Sequence, residues 1–379
     1  MDPKNKLRIL QLTSHLGVGG VPRYVLTLSE ALHKRGHSVA IASDGGLWET
    51  EPERRGCAFW RVGLNTSAEF GPKARRAATL LTERLKSAPV DIIHAHTRVA
   101  QVVASRIASR TRIPFVTTWH GFFRTNLGRK FWPCAGERVI AISEPVRRHL
   151  VEDFCVPNDD IRLIPNGVDV DAFRLTPTDE MRAALGLPKS GPVIGTVSRL
   201  VPAKGVDVLI RAFALLRRDF PDILLLIVGD GEDRVRLETL ARQENIAQAV
   251  FFTGSLPQTN RTLAIMDIFV FLPADKEGFG LSFLEAMAAA RPIVAVRRGQ
   301  GAEWVLKEAG CAQLVGPDNP LVLADSLRDL LQHPDKARAF GHQARGVAEQ
   351  RFNLARMAQA VESVYREVLA AGAGARRRS

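Results

Sequence analysis

The most constraining feature of the chain is a strand–helix alternation that runs, stops at a cluster of prolines and then starts again. LRILQLTS (7–14) is a short apolar run ending in a glycine-rich loop, GVGG (17–20). A helical pattern over Tyr24–Arg35 follows, closed by Gly36, and then a strand at His37–Ala42. DIIHAHT (91–97), PFVTTWH (114–120) and RVIAIS (138–143) read as further buried strands, with helical stretches at Ala74–Lys86 and Val99–Ser109 between them. Strand, helix, strand at this spacing means βαβ units on a parallel sheet. The rhythm breaks over 165–192, where Pro165, Pro177, Pro188 and Pro192 interrupt any alternation. It resumes with PVIGTVSR (192–199), a helix Gly205–Arg218, strands at Ile223–Val228, Val250–Thr253, Ile268–Leu272 and Pro292–Val296, and helices at Glu232–Glu244 and Leu281–Ala290.

The predicted fold is α/β, with two doubly wound Rossmann-like parallel-sheet domains, 1–172 and 173–353. A helix in 354–370 is expected to pack back on the first domain, and 371–379 reads as a disordered basic tail. Ligands of open parallel sheets sit at the strand C-terminal ends, so a cleft between facing domains is the expected site.

Composition narrows the class. At ~150 residues per domain, 379 residues suit two or three domains. No apolar run approaches the ~20 residues that span a bilayer, and the N-terminus lacks the apolar core of a secretory signal. Cys57, Cys134, Cys155 and Cys311 are scattered and form no CxxC, which fits reduced thiols of a cytoplasmic protein. His94 and His96 share one strand face without a third ligand nearby, so no metal is expected. Asn166 and Gly167 read as a structural turn. The net charge of +12 fits either a solvated basic surface or an anionic partner.

One stretch carries the chemistry. EGFGLSFLEAM (277–287) sets Glu277 and Glu285 eight positions apart around a glycine-rich turn and a helix start. Eight helical residues span ~12 Å, whereas the paired carboxylates of a retaining glycosidase stand ~5–5.5 Å apart. These two carboxylates therefore hold separate parts of one extended ligand. Between them, Gly278 and Gly280 expose N–H groups at a helix N-terminus, where phosphate is favoured. A sugar joined through a diphosphate to a ribose fits that layout.

With this motif the sequence resembles the retaining, GT-B-fold glycosyltransferases of family 4, in particular members that build lipopolysaccharide or other envelope glycans. The resemblance covers nearly the whole chain. It rests on the spaced glutamates together with GVGG (17–20), TTWHG (117–121), IPNGVD (164–169) and SRLVPAKG (198–205), in the family's order. It implies that Arg199 and Lys204 face the donor diphosphate and stabilise charge on the leaving nucleotide. It implies that Glu285 takes the ribose hydroxyls, that Glu277 contacts the transferred sugar, and that the N–H groups of Phe279, Gly280 and Leu281, beside Gly278, line the sugar–phosphate site. Gly19 and Gly20 would admit the diphosphate from the first domain, and His120 would stand beside the donor sugar. No cofactor and no Mg²⁺ are expected; the donor is a UDP- or GDP-sugar.

Two loops depart from the family pattern. GGVPR puts Pro22 and Arg23 where many relatives carry an acidic residue, which bears on the acceptor side. GQGAEW (299–304) splits a glycine pair with Gln300 while keeping an acidic residue at Glu303.

For the acceptor, a saccharide or a lipid-linked saccharide is expected. HGFFRTNLGRKFW (120–132) mixes Phe122, Phe123, Phe131 and Trp132 with Arg124, Arg129 and Lys130. The 74–86 helix adds Arg75, Arg76, Arg84 and Lys86 around Leu80, Leu81 and Leu85. Basic and aromatic surface suits peripheral contact with an anionic membrane on its cytoplasmic face.

Three other readings compete. A dinucleotide-dependent oxidoreductase would need G-x-G-x-x-G, which Pro22 and Arg23 interrupt. A nucleic-acid binder has the charge but no reading module, so no nucleic-acid partner is expected. A same-fold enzyme of another reaction is the third: a cofactor-dependent phosphorylase would need a Schiff-base lysine in a much longer chain, so a sugar-nucleotide epimerase, or a non-catalytic nucleotide or nucleic-acid binder, stands as the alternative.

Overall fold

The computed structural model describes residues 6–376. The chain divides into two compact units, 1–166 with 354–379, and 167–353. No described helix is long and apolar enough to cross a membrane.

The first unit is a seven-stranded parallel sheet: β1 (Arg8–Leu12), β2 (Ser38–Ser43), β3 (Ala58–Arg61), β4 (Ile92–Ala95), β5 (Phe115–Trp119), β6 (Arg138–Ala141) and β7 (Ile161–Leu163). Their order is β3-β2-β1-β4-β5-β6-β7. β4 and β5 are buried along their whole length, as strands covered by helices on both faces must be. Order reverses between β1 and β4, whose register sets Gln11 opposite His94. That reversal is a topological switch point, the place where open α/β sheets bind ligands.

The last helix, Leu354–Arg376, belongs to this unit. It packs beside the Gly20–Lys34 helix, with Val361 and Tyr365 fully buried. Arg35 Nε donates to Glu362 Oε2 at 2.8 Å, and Arg138 Nε donates to Glu367 Oε1 at 2.7 Å. The helix continues six residues past the expected end at 370, so 371–376 are helical rather than a disordered tail. Residues 377–379 of the expected tail lie outside the described residues.

The second unit is a six-stranded parallel sheet: β8 (Val193–Val197), β9 (Leu224–Val228), β10 (Val250–Gly254), β11 (Ile268–Phe271), β12 (Ile293–Val296) and β13 (Gln313–Val315). Its order is β10-β9-β8-β11-β12-β13, with the switch point between β8 and β11. Ile194, Leu209, Phe213, Ile227, Val270 and Leu327 lie in its core.

The boundary falls at 166/167, six residues before the expected 172/173. One backbone and one side-chain hydrogen bond account for this: Val168 N–H donates to the Phe352 carbonyl at 2.8 Å, and Asn260 Nδ2 donates to the Ala172 carbonyl at 3.0 Å. Residues 167–172 are thereby tied into the second unit. The turn read at Asn166 and Gly167 is the point where the chain changes units.

Candidate active site

In the second unit, the site is built from the loops that leave β8 and β11 on either side of the switch point. Arg199 follows β8 and is exposed, with no side-chain partner among the described residues. Its loop is clamped by the one after β9. Leu200 N–H donates to the Asp230 carbonyl at 3.0 Å, and Asp233 N–H donates to the Leu200 carbonyl at 3.0 Å. A Cβ on Gly229 would stand 1.8 Å from the Ser198 carbonyl oxygen, and one on Gly231 would stand 2.1 Å from that of Leu200. Only glycine permits so close an approach. Lys204 ends a 3₁₀ turn, Pro202–Lys204, and Gly205 at φ 64° opens the Val206–Leu216 helix.

β11 leads into the glutamate loop. Glu277 N–H donates to the Ala274 carbonyl at 2.9 Å, and the Glu277 carboxylate receives Lys204 Nζ at 2.5 Å. Gly280, at φ 104°, starts the Leu281–Ala288 helix, and a Cβ there would meet Phe271 Cζ at 2.4 Å. Gly278 and Phe279 are buried, and the Phe279 ring packs edge-on against Phe352 at 5.9 Å. That packing anchors the turn, leaving the first-turn N–H groups of the helix without intrahelical acceptors. Glu285 is buried one turn further on and accepts from Thr259 Oγ1 at 2.8 Å. The two glutamates thus have different partners, Glu277 on the β8 loop and Glu285 on the segment after β10.

The GQGAEW loop is packed tightly despite its split glycines. A Cβ on Gly299 would lie 2.5 Å from the Ala274 carbonyl oxygen, and one on Gly301 would lie 2.4 Å from that of Glu277. Both glycines buttress the glutamate turn, and Glu303 pairs with Lys307 at 3.6 Å, its one ion pair among the described residues.

In the first unit, GVGG follows β1. Gly17 N–H donates to His15 Nδ1 at 2.9 Å, Gly19 adopts φ 157°, and Gly20 opens the helix. Pro22 sits in the first turn, where a missing N–H costs no helical bond. Arg23 lies over the Trp48 ring at 5.7 Å. His120 follows β5, and the Tyr24 ring meets it edge-on at 4.7 Å. His120 Nε2 stands 3.3 Å from His96 Nδ1, and His96 Nε2 stands 2.6 Å from Gln11 Oε1. Gln11 Nε2 donates to the Tyr365 hydroxyl at 3.3 Å, which lies 2.6 Å from His94 Nδ1, and His94 Nε2 lies 2.7 Å from Thr118 Oγ1. Burial lowers all three imidazoles, His120 to about 3 and His94 and His96 well below their ordinary value. All three are therefore neutral near pH 7.

The structure puts Arg199, Lys204 and Glu277–Gly280 on the loops after β8 and β11, and Leu281 and Glu285 on the helix that follows; sequence reasoning does not single out Gln11, Tyr24, Thr118 or Tyr365. One signal was present: Tyr24 and Tyr365 are the chain's two tyrosines, and both stand in this histidine cluster.

The aromatic stretch after His120 is less exposed than its composition suggests. Phe123 packs edge-on against Trp119 at 4.6 Å, and Phe122 against His149 at 5.4 Å. Phe131 and Trp132 remain 73% and 68% exposed. Arg129 is held by Glu69, leaving Arg124 and Lys130 exposed. In the Pro72–Ser87 helix, Leu81 and Leu85 are buried in the unit's own core, because they continue the Ala74, Ala77, Ala78 stripe. Of its three leucines only Leu80 faces outward.

Residues 177–347 match the family described as glycosyl transferases group 1, and residues 18–172 match glycosyltransferase family 4. The chain is 26% identical over 377 residues to N-acetyl-alpha-D-glucosaminyl L-malate synthase of Bacillus anthracis, covering 96% of this chain and 98% of that one. It is 28% identical over 375 residues to phosphatidyl-myo-inositol mannosyltransferase of Mycobacterium tuberculosis, covering 94% and 95%. The fold is shared with Anabaena HepE, solved with UDP and glucose, at a TM-score of 0.80 and 22% identity over 94% of this chain and 99% of that one. With one half matched by each family and the whole fold shared, the chain belongs to the GT-B glycosyltransferases of family 4 and group 1.

Proposed function

We propose that the chain is a retaining, metal-independent glycosyltransferase. On this reading it moves a sugar from a UDP- or GDP-sugar to a saccharide or lipid-linked acceptor in envelope or exopolysaccharide synthesis. The observation that carries the reading is the meeting of Lys204 and Glu277 across the β8–β11 switch point, with Arg199 on the same β8 loop. The glycosidic bond breaks toward the diphosphate, whose oxygens gain negative charge. Fixed cations stabilise that charge most in the transition state, where it is greatest. The first-turn N–H groups after Gly280 supply a second source of positive potential. Glu277 holds Lys204 in place and accepts from a sugar hydroxyl, and Glu285 accepts from the ribose. Retention rests on the family resemblance: the acceptor oxygen enters on the face the phosphate leaves, and its proton passes to the departing phosphate.

The relatives' names support the choice of ligands. HepE binds UDP and glucose, and the mycobacterial relative is named for phosphatidyl-myo-inositol. Exposed Phe131 and Trp132 beside Arg124 and Lys130 support contact with an anionic leaflet, on the cytoplasmic side where sugar nucleotides are found. Labelled UDP- and GDP-sugars incubated with the protein and a membrane extract test the reaction, read as label in the lipid or saccharide fraction. Transfer should survive EDTA and give the donor's anomeric configuration; absence of transfer from every donor overturns the reading. Flotation with anionic and neutral vesicles at low salt tests the docking, and absence from both overturns it.

A further inference from the structure

The hydrogen-bond chain behind His120 has a direction, and that direction sets which ring nitrogen His120 offers. Gln11 Nε2 donates to the Tyr365 oxygen; pairing the Tyr365 proton with His94 Nδ1, 2.6 Å away, puts the His94 proton on Nε2, toward Thr118. Gln11 Oε1 can only accept, so the neutral His96 carries its proton on Nε2 and a lone pair on Nδ1. His120 Nε2 must then donate to that lone pair. Its Nδ1 is left as an acceptor, with no partner among the described residues.

We propose that Gln11 and Tyr365 are positioning residues that hold His120 as its Nε2–H tautomer, so that Nδ1 is presented as a hydrogen-bond acceptor for a hydroxyl of the bound sugar. The inference rests on the glycosyltransferase reading for the identity of the hydroxyl, but not for the tautomer. Register supports it: Gln11 and His94 are directly paired across β1 and β4. Burial supports it as well, because Gln11, His94 and Tyr365 are wholly excluded from solvent and His96 nearly so. Polar groups buried that deeply keep one arrangement, since a broken link leaves an unpaired donor or acceptor in a low-dielectric interior. The C-terminal helix thus reaches the reaction through Tyr365 without touching substrate.

The test is two-bond ¹H–¹⁵N correlation on ¹⁵N-histidine-labelled protein, with the His120 signal assigned by its loss in His120→Gln. The parent should show neutral, Nε2-protonated His96 and His120 from pH 6 to 8. Gln11→Leu and Tyr365→Phe should bring in the Nδ1–H form at His120 and lower kcat by about 2- to 10-fold, as loss of one neutral hydrogen bond implies, with donor KM changed less than about twofold. Tyr365→Phe keeps the ring and decides the matter if Gln11→Leu does not fold. A parent His120 that is Nδ1-protonated overturns the proposal. So does an unchanged tautomer in Tyr365→Phe, or a changed tautomer with parental kcat. The spectra need no acceptor, so a failure to detect glycosyl transfer sinks the functional reading while leaving the tautomer result standing.

Discussion

Lys204 Nζ lies 2.5 Å from Glu277 Oε2, joining the loops that leave two adjacent strands of the second unit. The lysine is thereby held at the switch point before any donor arrives. Glu277 is also engaged, so on the proposed reading the lysine is shared between the carboxylate and the diphosphate. Lys204→Ala and Arg199→Ala are each expected to lower kcat/KM by about 10- to 100-fold, as loss of a charge-assisted contact implies. Both should reduce the rise in melting temperature given by UDP or GDP. Parental protection by both nucleotides in both variants contradicts the donor assignment.

Gly280 combines φ 104° with a Cβ direction that runs into the Phe271 ring. Gly280→Ala should cost about 1–3 kcal/mol and move the N–H groups that follow it. Gly316→Ala is the control, because nothing lies within 4 Å of a Cβ there. Urea melts of both variants check the difference, and equal midpoints would show that the turn has room to spare.

Glu285 accepts from Thr259 Oγ1 in a buried setting. Thr259→Val keeps the shape and removes the donor, at an expected cost of about 1.5–3 kcal/mol for a bond to a carboxylate. Nucleotide affinity measured by calorimetry should fall in the same variant, because the carboxylate loses its orientation. A stability loss with parental affinity would confine Glu285 to a structural role.

Stability should depend on pH in two overlapping windows. Burial depresses His94, His96 and His120. Below the unfolded value of about 6.5 the unfolded chain binds more protons, so stability falls with pH from there toward about 3. Glu362 behaves differently. Burial alone would raise it, but hydrogen bonds from Arg366, Arg35 and His37 outweigh that and hold it at about 2. Its contribution is present above the ordinary carboxylate range and is lost as pH falls through about 2. Urea midpoints measured from pH 8 to pH 3 should begin to drop near 6.5; a level curve down to pH 5 contradicts the buried histidines.

Residues 354–376 complete the first unit, with Ala358, Val361 and Tyr365 fully buried. A chain ending at Asn353 should lose cooperative unfolding of that unit and expose the apolar face of the Gly20–Lys34 helix. Dye binding and thermal melting of the shortened chain check this, and a parental melt would mean that the helix is dispensable.

The interior strands are legible because both faces are covered: IIHA and LLLIV are apolar runs that no exposed element would keep. β3, β7 and β13 are not read from the sequence. All three are sheet edges of three or four residues, AFWR, IRL and QLV, with partial exposure that dilutes the apolar signal. The fourth edge, β10, is readable because it keeps an apolar VFF. The motif residues Arg199, Lys204, Glu277 and Gly280 are readable for a related reason. A loop that turns from a strand end into a helix announces itself by glycine, proline and charge within a dozen positions.

Gln11 and Tyr365 are 354 positions apart, and neither has a neighbour that announces it. The sequence by itself determined two parallel sheets, the loops at their strand ends and the charged groups those loops carry, because each is set by short-range backbone preference and local burial. Only the tertiary structure decided that the last helix returns to the first sheet and that a tyrosine there completes a chain of hydrogen bonds to His120. The reason is physical: strand register and helix docking bring distant residues together through cooperative packing, which leaves no mark in the neighbouring sequence.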